Sequence, residues 1–402
     1  MKDAVHLDYE TASTQSLDKE TSVGLDNYWR SRETRVLMLA YAFGESEVKL
    51  WEPHRDPMPT ELLDALKDED RPLIAWNSSF ERYGTLYKCG IETSISRWHD
   101  PQASARYLSM PGALEKVGPI LGLPAELQKD DRGEELIKLF SKPHLTRKKK
   151  GETQRQYFND WTTHPKEWQE FKEYCKQDVR AEREIMHREI QLGAFPLPEL
   201  ERKIWVLDQT INDRGMPVDT QFVKCMYELG VRSKQESIEK QNNLTGLQNA
   251  NSPKQLMAWA HTQGYTPQTL NKNTVESWLK YQTDKMTPLC VEVLTARRAA
   301  ASTTYTKLKS ILRQVSADKT LKNAFLYMGS SRCGRWSSAA AQLHNMARPG
   351  VLNGYNFEDE DVVDEARAMV RRMDYEGIQA KYGSVLLVIK FLIRTSFSVE
   401  NE

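Results

Sequence analysis

The sequence is short of several things, and each shortage narrows its class. Its five cysteines (Cys89, Cys175, Cys225, Cys290 and Cys333) are scattered and never form a C-x-x-C pair. That argues against a zinc site and a disulfide framework, and it fits a reducing, cytoplasmic compartment. Neither sign of charge prevails, with 56 basic and 56 acidic residues. A nucleic-acid surface would therefore require local segregation of charge rather than a global excess. The longest apolar run, Val385 to Ile389, is too short to span a bilayer. No secretory leader is visible ahead of the first strand, so no membrane role is expected.

The 402 residues, 39% hydrophobic and 28% charged, are enough for two or three domains with proper cores. Residues 1–192 read as α/β. Val5 to Leu7 reads as a short strand. Arg35 to Phe43 and Val48 to Trp51 read as a hairpin turned near Gly44, and Leu73 to Trp76 as a further strand running into a helix. Pro165 to Ile190 reads as a long helix with a charged face, and Thr146 to Gln154 as a charged loop. Two prolines and a glycine make 193–198 a linker. Residues 199–312 read as mostly helical, with Ser252 as an N-cap before Pro253. Residues 313–402 mix short strands and helices.

Three stretches of the first region carry chemistry. In Asp8-Tyr9-Glu10 the acids stand at i and i+2, so a strand projects both from one face. Two adjacent carboxylates need neutralising, and hard divalent cations do this with oxygen ligands. The second stretch is Asn77-Ser78-Ser79-Phe80-Glu81, at a strand-to-helix junction. The third is Tyr174-Cys175-Lys176-Gln177-Asp178, where Tyr174 and Asp178 share one helical face. Such a set can converge as a two-metal phosphodiesterase requires, with cations about 4 Å apart on the attacking and leaving oxygens. Solvated acids on a strand end are the plainer reading of Asp8 and Glu10 alone.

These stretches resemble the three exonuclease motifs of the DEDD superfamily, Tyr variant, on an RNase H-like fold. The resemblance implies metal ligation by Asp8, Glu10 and Asp178, and water orientation by Tyr174. Where the family places an Asp in the second motif, this sequence has Glu81, either a tolerated ligand or a mark of weakened catalysis. Asp100 is a reserve ligand whose plainer reading is a cap, and Asn77 fits a backbone role.

The later residues resemble family A DNA polymerases of the DNA polymerase I type, most closely phage members. Ile211-Asn212-Asp213-Arg214-Gly215-Met216-Pro217 is similar to the segment joining exonuclease and thumb, and Asn251-Ser252-Pro253-Lys254 to the thumb tip. Gly334-Arg335-Trp336-Ser337-Ser338, followed by Gln342-Leu343-His344-Asn345 and Arg348-Pro349, is similar to the region that grips primer–template duplex. Between Ala296 and Gly350 stand ten basic residues and one acid, Asp318. A stripe of that kind suits a phosphate backbone. The resemblance nominates Arg297, Arg298, Lys307, Arg332, Arg335, Ser337, Gln342, His344 and Asn345 as DNA contacts.

The D-[YF]-S-x-x-E palm motif, the later H-D-E-like motif and the finger helix of that family do not occur in these residues. The expected architecture is an RNase H-like exonuclease domain (1–192), a linker (193–198), a helical thumb-like domain (199–312) and the opening of an α+β palm (313–402). The expected activity is 3′→5′ proofreading with Mg²⁺ or Mn²⁺, two per site, on single-stranded 3′ ends, together with a grip on primer–template duplex. Polymerisation would then need a second chain carrying fingers and palm, and Val385 to Leu392 would supply apolar surface for that interface. Two alternatives stay open: a catalytically decayed DNA-binding scaffold, and a fragment of a single-chain polymerase. In a virus the compartment would be the host cytoplasm.

Overall fold

The computed structural model describes residues 3–127, 131–147, 153–301, 304–330, 332–339 and 341–398. The chain divides into two compact units, one of residues 1–216 with 313–344, the other of 217–312 with 345–402.

The first unit is built on a five-stranded sheet of order β3-β2-β1-β4-β5. Its strands are β1 (Val5–Ala12), β2 (Arg35–Phe43), β3 (Lys49–Trp51), β4 (Leu73–Ile74) and β5 (Trp98–His99). Strands β1, β2 and β3 pair antiparallel, while β1, β4 and β5 pair parallel. Strand β1 is longer than the sequence reading placed it, and both Asp8 and Glu10 lie inside it. Alternation splits its side chains between two cores. Val5, Leu7 and Tyr9 join Leu39, Tyr41, Trp29 and Trp98 on one face. On the other face, Met38, Ala40 and Ala42 pack with Trp168, Phe171, Cys175 and Val179. Asp8 pairs with Ala40 and Glu10 with Met38, so both acids point to this second face.

The long helix against that face is α7 (Pro165–Gln191). Preceding it are α1 (Leu25–Arg30), α2 (Thr60–Lys67), α3 (Ser79–Cys89), α4 (Pro101–Tyr107), α5 (Leu114–Ile120) and α6 (Asp131–Phe140). Trp168, Phe171, Cys175 and Val179 recur at helical spacing and are fully buried. Each large apolar side chain so buried contributes about 1.5–3 kcal/mol. This seam holds α7 against the sheet at the level of the acids. The segment Thr146 to Gln154 lies partly outside the described residues.

Helix α8 (Glu199–Arg214), which the sequence reading grouped with the helices that follow, packs in the first unit. Arg82 Nη2 donates to Asp213 Oδ1 at 2.8 Å, and Ser79 Oγ donates to Gln209 Oε1 at 2.7 Å. Also in this unit, Phe325–Ser330 pairs antiparallel with Arg335–Ser338. A Cβ on Gly329 would stand 2.0 Å from Ser337 Oγ, so only glycine permits that approach.

The second unit is largely helical, with α9 (Thr220–Thr245), α10 (Pro253–Thr262), α11 (Lys272–Tyr281), α12 (Pro288–Ala300) and the greater part of α13 (Thr304–Gln314). Ser252 holds the N-cap position of α10, but its side chain makes no capping hydrogen bond; Pro253 stands in the first turn. Past α14 (Glu360–Arg371) and α15 (Tyr375–Tyr382), α16 (Val385–Leu392) corrects one expectation. Val385, Leu386, Val388, Ile389 and Leu392 are buried within their own unit. Of its apolar side chains only Leu387 is exposed, while Phe391 packs on Phe357 at 5.3 Å. The run is core, not spare surface for a second chain. Among the described residues, no helix is long and apolar enough to cross a membrane.

Candidate metal centre and nucleic-acid interface

Strand alternation sends Asp8 and Glu10 toward α7, and the helix brings Asp178 to meet them. One carboxylate oxygen from each of the three lies within 4.8 Å of the others. All three residues are half-buried. Oxygen donors alone, clustered this closely, fit a hard divalent cation.

Tyr174 stands one turn before Asp178 and hydrogen-bonds to it. Burial, then the charges of Asp178, Glu10 and Asp8, push its phenol far above the ordinary range. The hydroxyl therefore stays a neutral O–H donor. Its ring stacks on Phe171 at 6.2 Å and lies against α6, where a Cβ on Gly133 would come within 2.1 Å of a ring carbon. Gly133 is thus a spacer that lets α6 lie flat on Tyr174.

Glu81 reaches the same place from the first turn of α3. It stands outside the tight three-residue cluster but lines one cavity of about 300 Å³ with Asp8 and Asp178. The residue is 3% exposed, and its Oε2 has no hydrogen-bond partner among the described residues. Burial first, then the Asp8 charge, push its carboxyl well above the usual carboxylate range. A buried carboxyl oxygen without a hydrogen-bond partner among the described residues, in one cavity with Asp8 and Asp178, is the kind of atom a cation would complete.

The plainer readings suit Asp100 and Asn77. Asp100 accepts from the backbone N–H groups of Asn77 and Ser78 at 3.0 Å each and caps α4 through Gln102 N. Asn77 takes a left-handed φ of 62° that turns the chain from β4 into α3. Burial raises the Asp100 carboxyl to about 6, with those backbone donors opposing.

The sequence reading missed three residues beside the acids. Cys175 Sγ lies 3.5 Å from Asp8 Oδ2 and is fully buried. His6 Nδ1 lies 2.9 Å from Glu182 Oε1, with both side chains almost wholly buried. The available signal was spacing: His6 stands two residues before Asp8 on the strand, and Glu182 four after Asp178 on the helix.

The nominated DNA contacts fall in both units. Arg332, Arg335, Ser337, Gln342 and His344 belong to the first; Arg297, Arg298, Lys307 and Asn345 belong to the second. In the first, His344 N–H donates to Ser338 Oγ at 2.9 Å, tying the turn at Leu343–Asn345 to the hairpin. Arg332 and Arg335 are exposed, and Arg335 Nε donates to Cys333 Sγ at 3.0 Å. The Ser330 hydroxyl first, then Arg335, lower the Cys333 thiol to about 7. In the second unit, Arg297 bonds Asn251 O at 2.9 Å and Lys307 bonds Asn345 O at 3.0 Å, while Arg298 is exposed. The basic stripe is thinner than its composition suggests. Arg313 donates to Ser22 O at 2.6 Å, and Lys322 pairs with Asp318 at 2.9 Å.

No protein-family model matches the chain. The POL domain of Pol1 from M. smegmatis, solved with DNA primer-template and dNTP, is 15% identical with a TM-score of 0.47, over 86% of this chain and 52% of that one. The DNA polymerase of Bacillus phage SP02 is 32% identical over 392 residues, covering 97% of this chain and 57% of the relative. The chain thus spans little more than half the length of that relative. Over nearly its whole length the chain is thus similar to a phage DNA polymerase, in keeping with the family A resemblance of its motifs.

Proposed function

We propose that the first unit is a 3′→5′ DNA exonuclease and that the chain serves proofreading within a DNA polymerase. The observation that carries this reading is the meeting of Asp8, Glu10 and Asp178 within 4.8 Å. Asp8, Glu10 and Asp178 would hold divalent cations, Mg²⁺ or Mn²⁺, with Glu81 as a further carboxylate. Bound there, such ions supply charge stabilisation to the phosphoryl oxygens and a more acidic water. Tyr174, kept neutral, would turn its hydroxyl from Asp178 to the attacking water and hold it in line. The cavity of about 300 Å³ accepts the terminal nucleotide, with Phe80 and Trp76 giving it an apolar wall.

Polymerisation lies outside these residues in this reading, because none of them forms the palm or finger motifs. Primer extension would require a segment bearing those motifs, on a second chain or in continuity with this one. The test of the nuclease is direct. A 5′-labelled single strand incubated with Mn²⁺ or Mg²⁺ should shorten stepwise from its 3′ end. An intact strand with both metals, from pH 6 to 9, would defeat the assignment.

Two substitutions probe its parts. Gly133→Ala should slow cleavage by on the order of 10²-fold, because the added methyl must displace the Tyr174 ring by about 1 Å or more. Unchanged single-turnover rates would mean that the Tyr174 position is irrelevant. Arg335→Ala should weaken duplex binding across all sequences and reduce the slope of log K against log[salt] by about 1. An unchanged slope would remove Arg335 from the phosphate contacts.

A further inference from the structure

Strand β1 and helix α7 run past each other in opposite senses, with three rungs between them. His6 meets Glu182, Asp8 meets Asp178, and the charge of Glu10 acts on Tyr174. Two strand residues advance about 6.6 Å, and four helical residues about 6.0 Å. The two rows therefore stay nearly in phase over all three rungs. A slip of one helical residue would move α7 by about 1.5 Å and turn it by about 100°, taking Asp178 off the face of Asp8.

We propose that Glu182, with His6, is the positioning residue that fixes this register, and so assembles the acids proposed above as the exonuclease centre. Its two oxygens serve two different elements. Oε1 takes the His6 imidazole of β1 at 2.9 Å. Oε2 accepts the backbone N–H of Trp76 at 3.1 Å, where β4 ends and the turn toward Glu81 begins. One carboxylate thus joins the strand of Asp8 and Glu10, the junction of Glu81 and the helix of Asp178. A slip of α7 would strand this buried acid without its partners, which the interior does not tolerate. Glu182 borders the same cavity as Asp8, Glu81 and Asp178, but both its oxygens are engaged by His6 and Trp76, so it positions the ligands and is not one of them.

The inference rests on the exonuclease reading, and its test separates the two. Glu182→Leu removes both acceptors at similar volume, whereas Glu182→Gln keeps an amide that can serve His6 and Trp76. Mn²⁺ affinity is read by electron paramagnetic resonance without DNA, and kcat and KM on a labelled oligonucleotide. Glu182→Leu should weaken Mn²⁺ binding by about 10–100-fold and lower kcat by on the order of 10²-fold with KM little changed. Glu182→Gln should restore both to within a few-fold. Should the leucine variant fail to fold, His6→Phe takes its place, with the same direction expected. A leucine variant that melts earlier yet binds Mn²⁺ and cleaves as wild type does would overturn the positioning role alone. So would a glutamine variant as impaired as the leucine one. A wild-type protein that binds no Mn²⁺ would overturn the exonuclease reading and this inference with it.

Discussion

Asp178→Ala should lower 3′→5′ cleavage by about 10³-fold or more, because a lost ligand forfeits several kcal/mol of charge stabilisation and each 1.36 kcal/mol is tenfold. Asp8→Ala should match it. Tyr174→Phe should cost only about tenfold, the worth of one hydrogen bond to the water. The fold should survive these changes, and one sign is diagnostic. In the metal-free protein Asp178 shares a 4.8 Å cluster with two like charges. Removing it relieves repulsion, so its melting temperature in EDTA should equal or exceed that of the wild type. With Mn²⁺ present the order should reverse, because binding to the folded state stabilises only the protein that retains the site. Wild-type cleavage by Asp178→Ala would end the two-metal assignment. Loss of cleavage with a lower melting temperature in both conditions would show only that the residue matters to the fold.

What could be read in advance divides by range. Asp8 with Glu10, and Tyr174 with Asp178, were legible because each pair obeys the period of its own element. Strand alternation and the helical turn operate over two and four residues, and both survive in sequence. The turn at Asn77, with Glu81 beyond it, was legible as a strand-to-helix junction, but the burial of Glu81 was not. Nothing in the local sequence says that Asp8 would face it. His6 and Glu182 lie 176 residues apart, and only the packing of α7 on β1 makes them partners. The apolar run of α16 shows the opposite error. Five of its side chains are core because other helices of its unit cover them, and composition alone does not distinguish a covered face from an open one. Arg313 and Lys322 count toward the ten basic residues of the stripe, yet each has an internal acceptor.

Glu189→Met should make the first unit more stable at pH 8 and leave it unchanged near pH 4.5. Glu189 lies seven residues beyond Glu182 on the buried side of α7 and is 0% exposed. Neither carboxyl oxygen has a hydrogen-bond partner among the described residues. Burial, then the charges of Asp100 and Glu182, raise its carboxyl to about 9. In the unfolded chain the same group titrates near 4.3. The folded state therefore keeps a proton that the unfolded state gives up. The stability of this arrangement is fully present below about pH 4.3 and is lost as pH rises toward about 9. From pH 5 to pH 8 the slope of about 1.36 kcal/mol per unit sets a ceiling of about 4 kcal/mol. Methionine has a similar reach, fills an irregular apolar space and has no proton to lose. Calorimetric melts should thus show a gain at pH 8 of at most roughly 8–16 °C, at about 2–4 °C per kcal/mol for a unit of this size. An equal gain at both pH values would trace the effect to packing, and the idea of an acid held neutral inside α7 would fail.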